Sequence, residues 1–325
     1  MKLAMIYPFL KNDLDKIEKA LNETIQAEND VLREASTQLL EAGGKRIRPV
    51  FVLLAGKFGD YDLERMKHVA VSLELIHMAS LVHDDVIDEA ELRRGEPTIK
   101  AKWDNRIAMY TGDYIFARAI ECLSNLQKPQ AHRILSETIV EVCLGEIEQI
   151  KDKFNWDQNL RTYLRRIKRK TALLIAVSCQ LGGIAANVSA KEEKALFQYG
   201  YYVGMSYQII DDVLDFTATE EELGKPAGSD LLQGNITLPV IYAIAQDDDF
   251  KHKLETLFQQ GQQEISQEDL TSVVNHIKNS PGIEASLSLS ERYLNKAYEA
   301  LEQLPEQKAK QTFKSIARYI GKRKS

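Results

Sequence analysis

The stretch VSLELIHMASLVHDDVIDEAELRRGEPT, residues 71–98, decides how the chain is read. Its first part, Val71 to Val82, is apolar almost all round, the pattern of a helix buried inside a protein rather than laid on its surface. The rest carries Asp84, Asp85 and Asp88, then Arg93 and Arg94. Residues i and i+4 share a helix face, so the three carboxylates crowd negative charge onto the end of that helix. Charge in such a place needs partners, since an unpaired buried carboxylate is unfavourable by roughly several kcal/mol. A second run, MSYQIIDDVLDF at residues 205–216, repeats the arrangement with Asp211, Asp212 and Asp215 after another stretch poor in charge, GYYVGMSYQII. Carboxylate clusters with few His or Cys companions suit hard divalent cations, magnesium above all, which is held through one or two carboxylates plus substrate phosphates. The two arginines suit the phosphates. Acidic triplets on solvated helix faces are the plain alternative, and the apolar flanks argue against it.

Outward from these runs, apolar residues recur at three- and four-residue spacing almost everywhere, which predicts an all-α fold. Breaks are predicted at Gly43–Gly44, Lys128–Pro129, Phe154 to Gln158, Thr217 to Pro239, Asp247 to Asp249, Gly261 and Ser280 to Gly282. No Pro/Gly/Ser-rich linker divides the 325 residues, so residues 1–325 read as one domain. The formal charge of −6 argues against a general nucleic-acid binder. Cys122, Cys143 and Cys179 lie far apart in apolar helical patterns and read as reduced core thiols, which fits a cytoplasmic protein. The N-terminal run MKLAMIYPFLKNDLDKIEKAL lacks the features of a signal peptide. RRIKRKTALLIAVSCQLGGIAANVS, residues 165–189, has a basic flank and an apolar stretch near the lower limit for a membrane span. Ser178, Gln180 and two glycines interrupt it, so a buried core helix is the better reading.

Five motifs stand in order: GGKRIRP at Gly43 to Pro49, the first aspartate-rich run with RRG, the pair Lys170 and Thr171, Gln208 ahead of the second aspartate-rich run, and GKPAGSD from Gly224. By these the chain resembles the all-trans polyprenyl diphosphate synthases over nearly its whole length. The resemblance implies a single-domain helical bundle of the isoprenoid synthase type around a central active-site cavity. It implies condensation of isopentenyl diphosphate with an allylic diphosphate, with magnesium bridging Asp84, Asp88 and Asp211 to the leaving group and Asp85, Asp212 and Asp215 in support. Arg93, Lys170 and Lys225 match positions on the allylic diphosphate. Lys45, Arg48, His77 and Arg94 match those on isopentenyl diphosphate, with His83 behind the first motif. Thr171 and Gln208 would steady the passing cation, and the released diphosphate would serve as base. Asn235 departs from the pattern, standing where many members carry lysine.

Ser80 and Ala79, four and five residues before the first aspartate, match positions that limit product length. Small residues there favour a long product whose tail would run toward Ile76 and Ser72. The runs GEIEQIKDKFNWDQNLRTYLRRIKRKTALL and GKPAGSDLLQGNITLP resemble catalytic large subunits of bacterial heptaprenyl diphosphate synthases. That likeness implies farnesyl diphosphate as primer, a small noncatalytic companion subunit, a role in the menaquinone side chain and transient contact with a membrane surface on product release. A homodimer making a hexaprenyl or other chain is the alternative. A terpene cyclase is disfavoured by DDVLD and GGKRIRP, and a noncatalytic regulatory subunit by the intact aspartates and arginines.

Overall fold

Helical periodicity becomes helix nearly everywhere. The structure, a computed structural model, describes residues 6–219, 221, 226–259 and 265–323. Its helices are α1 (Lys11–Thr24), α2 (Asp30–Glu41), α3 (Ile47–Gly56), α4 (Leu63–Ile87), α5 (Ile99–Lys102), α6 (Asn105–Ser124), α7 (Pro129–Lys151), α8 (Leu160–Ile167), α9 (Leu173–Ala185) and α10 (Ala190–Thr217). Later helices span Ser229–Leu232, Leu238–Ile244, Asp248–Gln259, Gln267–Asn279, Pro281–Leu301 and Lys308–Gly321. Breaks fall at the punctuation residues, except that Gly261 lies outside the described residues. Leu92–Arg93 and Glu96–Pro97 form an antiparallel pair, the only strands among the described residues and too short to betray themselves by alternation.

The chain forms two compact units, each assembled from three segments. Residues 1–137, 174–200 and 300–316 make the first, and 138–173, 201–299 and 317–325 the second. Neither unit is continuous in sequence, so no linker marks a boundary.

In the first unit, Asp62 caps α4 by accepting from the backbone N–H groups of Glu64 and Arg65. The apolar run that follows is buried as its composition requires: Val69 to Ile76, Met78, Ala79 and Val82 have almost no exposed surface. Helix α6 packs along α4, and Ser72 Oγ donates to the Ala119 carbonyl at 2.7 Å. Helix α9, the segment with membrane-like composition, is a core helix. It approaches α3 so closely that a Cβ on Gly182 would stand 2.4 Å from the Val52 carbonyl oxygen. No described helix is long and apolar enough to cross a membrane.

The second unit packs Tyr163, Ile167, Met205, Ile209, Phe216 and Leu238 into one core with the helices between residues 238 and 279. Between α8 and α9 the chain takes a π-helical turn, Lys168–Ala172. Such bulges leave the α-helical ladder locally unmatched and recur at functional sites; this one carries Lys170 and Thr171.

The cysteine reading needs one correction. All three thiols are free, but only Cys179 is fully buried, while Cys122 is half-buried and Cys143 exposed. The apolar pattern around Cys143 faces outward, because Val140, Leu144, Ile147 and Ile150 on the same helix are exposed as well.

Candidate active site

The first acidic trio occupies the last turn of α4, with Asp88 at the C-cap. A helix C-terminus already carries partial negative charge, so three carboxylates there raise the electrostatic cost that only cations offset. Asp85 is buried and meets Arg93, which donates from Nε at 2.8 Å and lies within 2.7 Å through Nη2, both to Oδ1. Burial raises the Asp85 carboxyl above its ordinary range, and Arg93 works against that. Asp84 and Asp88 are half-buried.

Arg93 reaches back because the chain reverses in a two-residue turn. Arg94 and Gly95 have φ of 56° and 84°, the left-handed pair that matches the twist of a hairpin. This turn sets Arg94 beside the GGKRIRP loop, where a Cβ on Gly44 would lie 3.0 Å from Arg94 Nη1 and 3.2 Å from Arg46 Nη1. Packing pushes the His77 pKa well below the usual imidazole value, and Arg48, Arg94, Arg93 and Arg46 push it further. A neutral imidazole thus sits among four guanidiniums, and Lys45 is exposed on the adjoining loop. The first unit therefore brings Arg48, His77 and Arg94 near one another, and Arg93, assigned to the other diphosphate, acts on the same imidazole.

Ala79 is buried, and the half-buried Ser80 donates its hydroxyl to the His77 carbonyl at 2.8 Å. Ile76 and Ser72, toward which the product tail was expected to run, are buried too. Ser72 is tied to α6 through its hydroxyl. His83 contacts Asp113 Oδ1 and the Met109 carbonyl, each at 3.3 Å. It fits there only because position 112 is glycine, where a Cβ would fall 2.3 Å from the His83 ring.

The second trio closes α10. Burial pushes the Asp212 carboxyl up to about 7, against hydrogen bonds from Tyr163 and Gln208 and with Asp230 and Asp211 adding to the rise. Tyr163 donates its hydroxyl to Asp212 Oδ2 at 2.6 Å, and Gln208 Nε2 donates to Oδ1 at 2.8 Å. Thr171 Oγ1 donates to Gln208 Oε1 at 2.6 Å, so Thr171, Gln208, Asp212 and Tyr163 form one chain of hydrogen bonds. Asp215 is buried and accepts from Ser229 Oγ and the Asp230 N–H. Asp211 is exposed and pairs with Arg323 at 3.0 Å, whose guanidinium also lies 4.9 Å over the Tyr207 ring. Lys170 Nζ donates to Gln149 Oε1 at 2.9 Å and stands 3.8 Å from Glu146. Lys225 lies outside the described residues. Asn235 Oδ1 is buried without a hydrogen-bond partner among the described residues, so the departure at this position also leaves a polar atom unmatched.

Sequence reasoning missed Tyr163, Arg46, Glu74 and Arg323. Arg46 alone carried a signal, as the second basic residue of a motif in which its neighbours were chosen.

Among the described residues no three His, Cys, Asp or Glu side chains gather into a group that would hold an ion by themselves. The donors on offer are carboxylate oxygens, which fit a hard divalent ion. A cleft of about 590 Å³ lined by Gln246, Asp247, Lys253, Asn275 and His276 contains none of the motif residues.

A protein-family model described as polyprenyl synthetase matches residues 29–277. Heptaprenyl diphosphate synthase component 2 of Bacillus subtilis (strain 168) is 63% identical over 324 residues, covering 100% of this chain and 92% of that protein. The crystal structure of heptaprenyl diphosphate synthase from Staphylococcus aureus has a TM-score of 0.92 at 43% identity, covering 97% of this chain and 99% of that one. A polyprenyl synthase from Caulobacter crescentus CB15, crystallised with calcium and isoprenyl diphosphate, has a TM-score of 0.93 at 28% identity, covering 100% and 98%.

Proposed function

This chain belongs to the polyprenyl synthetase family, and on that premise we propose that it extends farnesyl diphosphate with isopentenyl diphosphate to heptaprenyl diphosphate, the precursor of a menaquinone side chain. Residues 1–325 act as one catalytic domain in this reading, since the family match runs through segments of both units. The observation that carries the proposal is the division of labour within each aspartate trio. Asp85, Asp212 and Asp215 are buried and spent on protein partners, whereas Asp84, Asp88 and Asp211 keep more exposed places.

In the reaction, the C1–O bond of the allylic diphosphate breaks and the electron pair leaves with diphosphate. The isopentenyl alkene attacks C1, and the resulting tertiary cation loses a proton to the released diphosphate, which restores a double bond. Asp84, Asp88 and Asp211 would hold magnesium, which when bound neutralises charge building on the leaving group. Arg93 turns one edge of its guanidinium to Asp85 and keeps donors for the allylic diphosphate, the ligand to which Lys170 and Lys225 are also assigned. Lys45, Arg48, His77 and Arg94 take isopentenyl diphosphate, where His77 stays neutral and donates a hydrogen bond without adding charge. Thr171 donates its hydroxyl hydrogen bond to Gln208 Oε1, which leaves oxygen lone pairs to face a passing cation. Ala79 and Ser80 leave room for a growing tail.

A relative's designation as component 2 supports a companion protein. Helix α7 offers it a surface in the second unit: Val140, Leu144, Ile147 and Ile150 are exposed at helical spacing. The whole arrangement suits a cytoplasmic enzyme. The test is incubation of the purified chain with magnesium, labelled isopentenyl diphosphate and farnesyl diphosphate, with and without the companion component. Heptaprenyl product that depends on the companion is the expected result. Heptaprenyl product from the chain alone would replace the heterodimer with a homodimer, and no elongation in either mixture would overturn the proposal.

A further inference from the structure

Arg46 stands directly before α3 with φ of 46°, in the left-handed region that a residue with a Cβ seldom adopts. Its side chain shows what holds it there. Nε and Nη2 donate to the two carboxylate oxygens of Glu18 at 2.8 and 2.7 Å, and Nη2 also reaches the Leu40 carbonyl at 3.1 Å. Nη1 points to Glu74 Oε1 at 3.4 Å. One guanidinium thus ties α1, the end of α2 and α4 to the GGKRIRP loop.

Glu74 is the more telling partner. It lies in the middle of the apolar run of α4 and is 3% exposed. Its Oε1 faces Arg46, while Oε2 is buried with no hydrogen-bond partner among the described residues. A half-satisfied buried carboxylate weakens a fold, and an apolar residue in its place is often neutral or better for stability. Stability alone therefore does not account for Glu74. Its position does: it precedes His77 by three residues, so the two share a face of α4, and the imidazole feels Arg46, Arg48, Arg93 and Arg94. The Arg46 Nη1 that meets Glu74 also abuts Gly44, whose other neighbour is the Arg94 guanidinium.

We infer that Glu74 and Arg46 are the positioning pair of the isopentenyl diphosphate pocket. Glu74 draws Arg46 down onto α4 and sets a negative charge against it at the edge of the cluster of like charges. Arg46 in turn fixes the strained turn that presents Lys45 and Arg48, and leaves Arg94 and His77 to face the ligand. Neither residue touches the substrate in this account. The inference rests on the assignment of that pocket under the proposed function.

Two simpler roles give opposite results, so the experiment separates them. Glu74→Gln keeps the volume and removes the charge. If Glu74 only contributes charge near an anion site, the variant binds isopentenyl diphosphate more tightly; if it positions Arg46, binding weakens. Calorimetry on the full chain is expected to show isopentenyl diphosphate affinity reduced about tenfold, equivalent to about 1.4 kcal/mol. In steady state the KM for isopentenyl diphosphate rises by a like factor, while kcat and the KM for the allylic diphosphate change less than about twofold on this differential-binding argument. Arg46→Lys keeps the charge but not the forked geometry, and is expected to weaken the same KM selectively. The double variant of Glu74→Gln with Arg46→Gln loses little beyond Arg46→Gln alone, because the two act through one contact. Unchanged or tighter binding in Glu74→Gln, or additive losses in the double variant, overturns the inference. Should Glu74→Gln not fold, Arg46→Lys decides: equal rises in both KM values would refute a positioning role in this pocket. Absence of isopentenyl diphosphate binding by the wild-type chain would instead refute the pocket assignment.

Discussion

Replacing Tyr163 with phenylalanine removes one hydroxyl and nothing else from a fully buried ring, so its effect isolates the bond to Asp212. That hydroxyl donates to Asp212 Oδ2 at 2.6 Å, and burial pushes the Asp212 carboxyl up to about 7 in spite of the bond. The raised value fixes the sign. The folded state holds a proton that the unfolded chain has lost, so Asp212 favours folding in acid, and this contribution is lost as the pH rises from about 4 through about 7. At pH 6 the carboxyl is largely neutral, and Tyr163→Phe removes a neutral hydrogen bond, which contributes about 1 kcal/mol. At pH 8 the carboxylate is largely ionised, and the lost bond contributes about 2–3 kcal/mol. With about 3 °C of melting temperature per kcal/mol for a unit of this size, the variant should melt about 3 °C lower at pH 6 and about 8 °C lower at pH 8. Scanning calorimetry of the chain in chelator at the two pH values measures both shifts. Equal shifts, or a larger one at pH 6, would refute the idea that Tyr163 stabilises the ionised form of Asp212.

Gly112→Ala should push the far end of the half-buried His83 ring out of its contacts with Asp113 and the Met109 carbonyl, offsetting the roughly 1 kcal/mol that alanine gains in a helix interior, so the melting temperature should change little; a rise that matches the full helix-propensity gain would contradict the close approach. Arg323→Gln releases Asp211 from its ion pair, so the magnesium concentration giving half-maximal activity should fall roughly two- to threefold, within the range of an exposed pair. An unchanged magnesium titration would show that the pair does not compete with the ion. Stability that depends on neutral His77 is present above about pH 6.5 and lost as the pH falls from there toward the depressed folded value, since only the unfolded imidazole takes up the proton. His77→Gln should therefore flatten the decline in melting temperature between about pH 6.5 and 5, and an identical decline would assign the acid sensitivity elsewhere. Ile147→Lys, on the exposed face of α7, should leave the chain folded and abolish companion-dependent activity, as judged by melting temperature and product sizing.

The sequence made most of the helices legible because their information is local: apolar spacing, and glycine and proline at breaks. Both aspartate runs were legible for the same reason, since three carboxylates at the end of an apolar helix conflict with burial wherever the rest of the chain lies. Partners set by tertiary contact were not. Tyr163 reads as one more apolar residue in NLRTYLRRIKRK, and only the fold brings it to Asp212, 49 residues away. Within GGKRIRP the resemblance singled out Lys45 and Arg48, while Arg46 between them turns to Glu18 and Glu74. Its backbone angle and acceptors depend on α1 and α4 and leave no mark on the motif itself. The exposed side of α7 was misread as core around Cys143, since an apolar helical stripe looks the same whether it faces the protein's own core or a partner.

The two aspartate runs resemble a duplication, yet their surroundings argue for a shared chemical demand met in different ways. Each trio ends a long helix, where the backbone dipole opposes further negative charge. At α4 the buried member is balanced by a full charge, Arg93, delivered by a hairpin that follows eight residues later. At α10 two members are buried and both are held by neutral donors, Asp212 by Tyr163 and Gln208 and Asp215 by Ser229 and the Asp230 N–H, and the raised pKa of Asp212 records that its donors compensate burial only in part. A repeated structural unit would repeat its inner partners, whereas independent solutions need share only the outward-facing carboxylates. On that reasoning the second trio depends more on a bound cation than the first. Magnesium should accordingly stabilise the second unit more than the first, and hydrogen exchange with and without the ion measures the difference. Greater protection around Asp84 to Asp88 than around Asp211 to Asp215 would reverse the argument.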